Sequence, residues 1–403
     1  IQVSSRGSWA ACVRLWDPTQ LTMTGLRLAG CGAGVLVTQT VSQTEDIAII
    51  NNVFADIRGP MQNFLPAGSS PPNPWAQDWG VAVALAQLNT TYGQPCQTNN
   101  LTVANNVGVR VDQFYTNFQP GPGWNDGPHN QRMSLTVVGA VIRGNTVQAC
   151  GYNCYELGAT THTIISDNVF LRDTPPDYFI YGTTDIILGD VDGTSAIINN
   201  DFNRRGEYEG GPDGCAIDFE TSASGVVVEG NTIYKSWGAG IMVFGHQTTS
   251  HNLSISNNVF LQAGCVQTMG DHAAIAFMCP NGNKASGKLD NNLFQTCTGK
   301  GVVSQAYNEA FPGCMSNWSK VGNLIDSQDP SAQVVSEPIL RVPPTPNFEA
   351  ALIASATSTT PNVTFHYTLD GSRPTEDSPM LTPSGVTLPW PGPVVAVNFR
   401  GFK

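Results

Sequence analysis

The sequence predicts an all-β chain: a solenoid of short parallel strands, then a second, smaller β domain. Three observations predict it. One short pattern recurs nine times: β-branched residues, a polar pair ending in Asn, then one or two apolar residues. Within each copy the apolar residues alternate with a period of two and are bounded by Gly and Asn. No stretch of about 10–15 residues keeps the 3.6-residue period that a helical solenoid needs.

The copies are IAIINNVF at Asn52, LTVANNVGV at Asn106, AVIRGNTV at Asn145, TIISDNVFL at Asn168 and AIINNDF at Asn200. VVVEGNTI follows at Asn231, LSISNNVF at Asn258, KLDNNLF at Asn292 and WSKVGNLI at Asn323. From Asn145 onward the spacings are 23, 32, 31, 27, 34 and 31 residues. Regular recurrence at such a period marks a solenoid. The recurrent Asn suits a bend because it tolerates left-handed backbone. Its amide can also face inward, bond backbone groups the bend leaves unpaired, and bond its own copies in adjacent coils. These asparagines are therefore read as structural.

With nine such copies, the chain resembles the right-handed parallel β-helix family, the pectin-lyase-like fold, over residues 1–336. That fold hosts lyases, hydrolases, epimerases, adhesins and structural proteins, so the resemblance implies architecture and leaves activity open.

Each coil must also supply a strand between the Asn copies. Cys154–Gly158, Asp185–Gly189, Ala216–Glu220, Ile241–Gly245 and Ala274–Met278 align without gaps. The second position reads Tyr155, Ile186, Ile217, Met242 and Ile275; the fourth reads Leu157, Leu188, Phe219, Phe244 and Phe277. Both are large and apolar throughout, so both are expected inside, because strand side chains alternate. The third and fifth positions then face outward: Glu156, Ile187, Asp218, Val243 and Ala276, and Gly158, Gly189, Glu220, Gly245 and Met278. Three carboxylates thus share one face, and the glycines beside Glu220 are expected to leave room for a sugar ring.

Asp218, Glu220 and Glu156 are the candidate catalytic carboxyls, since paired carboxyls run glycoside hydrolysis. On the same lattice His272, after Asp271, is a candidate acid or base. Arg204, Arg205 and Lys235 are the candidate cations for an acidic substrate. Asp190 and Asp192, in GDVDGTS, resemble part of a calcium loop and make calcium the candidate cofactor. A polygalacturonase-type or mannuronan-epimerase-type motif set is absent. Two Pro-rich insertions, Pro60 to Trp79 and Asn117 to Gln131, are long enough to wall a binding cleft. Trp75, Trp79, Trp124 and Tyr115 are the aromatics there that could stack on sugars.

Residues 337–348, EPILRVPPTPNF, read as a Pro-rich linker. Residues 349–403 then contain YTLDGSRPT, which resembles the C-terminal β-sandwich of chitobiases and β-hexosaminidases. The resemblance implies an accessory domain in a glycan-related extracellular setting. Locally, Asp370-Gly371 is a turn signal, and Asp370 and Thr375 are expected to brace it.

Composition bounds the partners. The formal net charge is -12 and no Lys/Arg cluster exists, which excludes tracking of a nucleic-acid backbone. Acidity also disfavours polyanionic glycans. Charged residues make up 12%, about half the usual share. Ten cysteines without a CxxC pair point to disulfides rather than zinc. Asn89, Asn100, Asn252, Asn317 and Asn362 begin N-x-[ST] sequons. Disulfides and sequons together predict an extracellular protein. No segment holds the roughly 18 apolar residues of a membrane span. The chain opens on IQVSS without an initiator Met, as a mature or excised product would. Two function classes follow: a secreted glycan-active enzyme, hydrolase or lyase, acting on a polysaccharide or cell-wall glycan; or a non-catalytic structural, filament or adhesive glycoprotein. End coils would offer unpaired strand edges, so end-to-end self-association is a candidate for either.

Overall fold

The computed structural model describes residues 11–39, 42–57, 80–87, 96–117, 135–171, 184–203, 214–236, 238–244, 250–264, 273–295, 305–325, 339–341, 352–357, 364–368, 375–382, 386–388 and 398–402. The chain divides into two compact units, Ile1–Asp329 and Pro330–Lys403. No helix occurs among the described residues.

The first unit is a coil of parallel strands. A representative turn runs Ile217–Phe219, Val227–Glu229, Thr232–Tyr234. The first two strands join a twenty-one-stranded sheet and the third joins a ten-stranded sheet, one strand per coil, so ten coils are stacked among the described residues. Every pairing follows the same rule: a strand bonds its equivalent one coil away, in parallel.

Two tasks expected of the recurrent Asn are divided between neighbours. The left-handed residue is the one before it: Asn51, Asn105, Gly144, Asp167, Asn199, Gly230, Asn257, Asn291 and Gly322 have φ between 54° and 67°, and Gly25, before Leu26 in the first coil, has φ 71°. All are Gly, Asn or Asp, the types that adopt this geometry most readily. The recurrent Asn then turns inward. From Asn106 to Asn323, each Oδ1 accepts both the backbone N–H and the Nδ2–H of the Asn one coil earlier, at 2.9–3.1 Å. Each Nδ2 also donates to a carbonyl of the preceding coil, as Asn200 does to Ile165 at 3.0 Å. The ladder starts at Leu26, whose N–H donates to Asn52 Oδ1 at 2.9 Å.

Stacked side chains fill the coil. On the ten-stranded sheet Phe170 and Phe202 lie face to face at 4.8 Å, and Phe260 and Phe294 at 4.9 Å. On the other sheet Tyr155, Ile186, Ile217, Ile241 and Ile275 form one buried inward row. Leu157, Leu188, Phe219, Val243 and Phe277 form the next.

This register corrects one coil. Ile241 pairs with Ile217, Met242 with Asp218 and Val243 with Phe219. Ile241 and Val243 are therefore inside, and Met242 and Phe244 face outward, one residue out of phase with the gapless alignment. Gly240 precedes this strand. A Cβ there would stand 2.8 Å from Phe260 Cδ1 and 2.9 Å from the Ala274 carbonyl oxygen, so only glycine fits against the Phe260 ring. That contact holds Gly240 at the inner edge and goes with Ile241 and Val243 facing in.

Three disulfides are formed among the described residues: Cys12–Cys31, Cys150–Cys154 and Cys279–Cys314. Cys96 is a free, buried thiol, so the even count does not mean complete pairing, and Cys215 is buried outside these three disulfides. Cys265 and Cys297 lie outside the described residues.

The second unit is antiparallel. Leu352–Thr357 pairs with Ile339–Arg341 and Val386–Leu388, and Thr364–Thr368 pairs with Asn398–Phe402. Ile339–Arg341, part of the expected linker, is thus a strand of this unit. Asp370 lies outside the described residues, while the Thr375 N–H donates to Ser378 Oγ at 2.9 Å.

Candidate active site on the outer sheet face

The strands Tyr155–Thr161, Ile186–Asp192 and Ile217–Phe219 lie side by side. Their register makes one outward row of Thr116, Glu156, Ile187, Asp218, Met242 and Ala276. At about 4.8 Å per coil, Glu156 and Asp218 are roughly 9–10 Å apart at Cα. Glu220 stands two residues beyond Asp218, roughly 6.5–7 Å along the strand. Three carboxyls therefore do share rows on one face.

They differ in burial. Asp218 is 0% exposed, whereas Glu156 and Glu220 are half-buried. Asp218 was expected to project into solvent; it is enclosed. Removing a carboxylate from water is costly. The fold does not ask for that cost, since Ile187 and Met242 occupy the equivalent place in the adjoining coils.

Polar groups gather in the same middle coils. The Gln113 side-chain amide donates to Glu156 Oε2 and holds that carboxylate. Thr184 Oγ1 lies 3.5 Å from Cys215 Sγ, both buried. Asp185 is a second fully buried acid, in the row where other coils place Ala216 and Ala274. Asp185 stands in the first alignment column with Cys154, Ala216, Ile241 and Ala274, so the signal was a lone acid in an otherwise uncharged column. Towards the first coils the same face is apolar, with Ala33, Leu36, Val81 and Ala84 clustered on it.

The glycine row is not the open groove expected. Gly158 and Gly189 are buried. The Asn117 side chain reaches Gly158, accepting its N–H at 3.2 Å and donating to its carbonyl, and also bonds Thr160 Oγ1 at 3.1 Å. On the other side of Glu220, the register brings Phe244 rather than a glycine. Phe244 is half-buried and is the aromatic that the alignment hid.

Other candidates separate. Lys235 is on the ten-stranded sheet side, over the Tyr234 ring at 5.2 Å, and does not join the carboxyl rows. Tyr115 is fully buried in the core, not in a sugar-facing loop. Asp190 accepts hydrogen bonds from Ser222 Oγ at 3.0 Å and Thr221 Oγ1 at 3.3 Å, and Asp192 from Thr161 Oγ1 at 3.4 Å. Among the described residues no three His, Cys, Asp or Glu side chains are gathered as for a metal ion. Arg204, Arg205, His272, Trp75, Trp79 and Trp124 lie outside the described residues, as do Asn89 and Asn362. Among the described residues no helix is long and apolar enough to cross a membrane.

Comparison with known proteins bears on the architecture. The family model for the right handed beta helix region matches residues 133–311. The fold is a right-handed parallel β-helix. No curated protein matches this β-helix by sequence. Solved structures similar to it include a GH136 lacto-N-biosidase from Eubacterium ramulus, 12% identical, with a TM-score of 0.45, covering 78% of this chain and 50% of that one. The chain thus spans about half the length of that β-helix protein. A DFA-IIIase from Arthrobacter chlorophenolicus A6 is 12% identical, with a TM-score of 0.43, covering 76% and 69%. A mannuronic acid specific polysaccharide family 6 lyase from human gut microbiota is 12% identical, with a TM-score of 0.31, covering 80% and 88%. Likeness this distant carries no activity or substrate across.

Proposed function

We propose that this protein is an extracellular glycoside hydrolase acting on an uncharged glycan, with Asp218 and Glu156 as its working carboxyls. The observation that carries the reading is Asp218. It is a fully buried carboxyl in a row where the β-helix accepts Ile187 and Met242. A costly group that the fold does not need marks a place where chemistry is the reason for it.

Glu156 is the partner because it occupies the same row two coils away and Gln113 fixes its carboxylate. A Cα spacing of roughly 9–10 Å, with side chains pointing the same way, suits carboxyls about 6.5–9.5 Å apart. That separation leaves room for a water between carboxyl and sugar, so the proposal is inversion: one carboxyl protonates the leaving oxygen and the other takes a proton from the attacking water. Phe244, in register with Glu220 one coil on, offers a ring face for a sugar.

Charge selects the substrate. Among the described residues, the one cation in the Asp218 and Glu220 rows is Arg14, in the first coil, far from three carboxyls. A polyuronate would meet repulsion from the three carboxyls, which favours an uncharged glycan. The three disulfides support an oxidising compartment. The C-terminal unit, through YTLDGSRPT, is proposed as an accessory module of the chitobiase type.

The test is to incubate the full chain with uncharged and acidic glycans and follow reducing ends, unsaturated uronates and, by NMR, the first anomer released. Inverted product from an uncharged glycan, lost in Asp218→Asn and Glu156→Gln, is expected. Unsaturated uronates, or activity surviving both substitutions, would overturn the reading. No turnover on any glycan would replace it with a glycosylated rod.

A further inference from the structure

Asn100, Asn252 and Asn317 are far apart in sequence but fall on one line. Coil by coil, the strand pairing carries Thr102 to Ser254 and on to Ser319. Those are the hydroxyl residues of Asn100-Leu-Thr, Asn252-Leu-Ser and Asn317-Trp-Ser. The same register therefore aligns the three asparagines two residues earlier.

The line is a corner of the coil. Asn100 and Asn252 have φ of 55° and 54°, and the same corner is left-handed at Gly139, His162 and Gly225 in coils between them. The geometry turns the asparagine outward while its successor turns in. All three asparagines are exposed. Leu101, Leu253 and Trp318, which follow them, are buried at 0%, 1% and 8%. Each sequon thus presents its amide to solvent from a rigid strand end. One Asn100 amide hydrogen bonds Asp46 Oδ1 at 3.1 Å, an exposed contact that leaves the second hydrogen replaceable.

We propose that Asn100, Asn252 and Asn317 are N-glycosylated, and that their glycans stand in a single file along this corner. The co-reactant is a lipid-linked oligosaccharyl diphosphate. The asparagine Nδ2 loses a proton and forms a bond to the first sugar carbon, the bond from that carbon to phosphate oxygen breaks, and the lipid diphosphate leaves. At about 4.8 Å per coil, the glycans at Asn100 and Asn252 are rooted about 24 Å apart, and those at Asn252 and Asn317 about 10 Å. The corner follows the strand that carries Asp218, so the sugar chains flank the carboxyl rows without rooting in them.

The test uses the full chain secreted from mammalian cells. Glycans are released enzymatically in heavy-oxygen water, which converts each occupied Asn into a labelled Asp, and peptides are mapped by mass spectrometry. Label at Asn100, Asn252 and Asn317 is expected. Absence of label at any of the three overturns the glycosylated line. A double variant, Ser286→Asn with Lys288→Thr, builds a new sequon in the same row between Asn252 and Asn317. It is expected to gain one glycan; a secreted variant without it shows that the row does not define the acceptor geometry.

Discussion

Inside the coil, Asn168 is flanked by Asn145 and Asn200, and each bonds the next. Outside, Asp218 is flanked by Ile187 and Met242, so neither adjoining coil repeats it. Both are polar groups withdrawn from water. The first is needed by the fold, because every coil presents the same backbone groups to the same amide. The second is dispensable to the fold, because adjacent coils replace it with apolar side chains. In this repetitive chain, repetition marks what holds the coils together, and the unrepeated Asp218 is the place where the proposed chemistry is tested.

The comparison breaks first at Asp218. Asp218→Asn keeps shape and burial but removes the acid. Hydrolysis of the responsive glycan is expected to fall about 10²–10⁴-fold, with thermal unfolding within a few degrees of wild type. A large loss of stability with activity intact would make Asp218 a structural residue.

The ladder should show the reverse: stability lost, chemistry spared. Asn200→Ala removes the acceptor of the Asn168 backbone N–H and Nδ2–H and a donor to the Ile165 carbonyl, all buried. Orphaned buried groups cost about 1–3 kcal/mol each, so about 3–5 kcal/mol is expected in denaturant unfolding. Asn323→Ala, at the half-buried end, leaves groups that water can reach and is expected to cost about 1 kcal/mol. Equal losses at both positions would deny that burial sets the ladder's energetics.

Legibility in the sequence follows the same division. The ladder was readable because Asn recurs wherever the fold uses it. The left-handed row was readable only as a polar position, because Gly, Asn and Asp all satisfy it. The Ile241–Phe244 strand was misphased for a physical reason: Ile241, Met242, Val243 and Phe244 are all apolar, so alternation carries no sign of which side is inside. The Phe260 ring pressing on Gly240 is a contact between two sheets that no local pattern displays. The carboxyl rows were found, but burial of Asp218 and the Asn117 bridge to Gly158 depend on neighbouring coils. The register itself can be broken: Val243→Ala is expected to cost about 1.5–3 kcal/mol of stability, and Phe244→Ala under about 1 kcal/mol with a rise in KM. The opposite pattern would restore the gapless alignment.

The smallest effects concern two core tyrosines. The Tyr155 hydroxyl donates to Asn168 Oδ1 at 3.1 Å and so joins the ladder. The Tyr115 hydroxyl is buried with no partner among the described residues. Tyr155→Phe should cost about 1 kcal/mol, while Tyr115→Phe should be neutral or stabilising by up to about 1 kcal/mol, because it removes a desolvated hydroxyl. Burial raises both phenols above the ordinary range and pushes Tyr307 up to about 12. The unfolded chain releases these protons first, near pH 10, while the folded chain still holds them. Their contribution is therefore complete below about pH 10 and is lost as pH rises towards 12 and beyond. Unfolding followed across that range should decline less steeply in Tyr115→Phe than in wild type. An unchanged slope would mean that water reaches the Tyr115 hydroxyl, and that the outer coils are looser than the ladder that joins them.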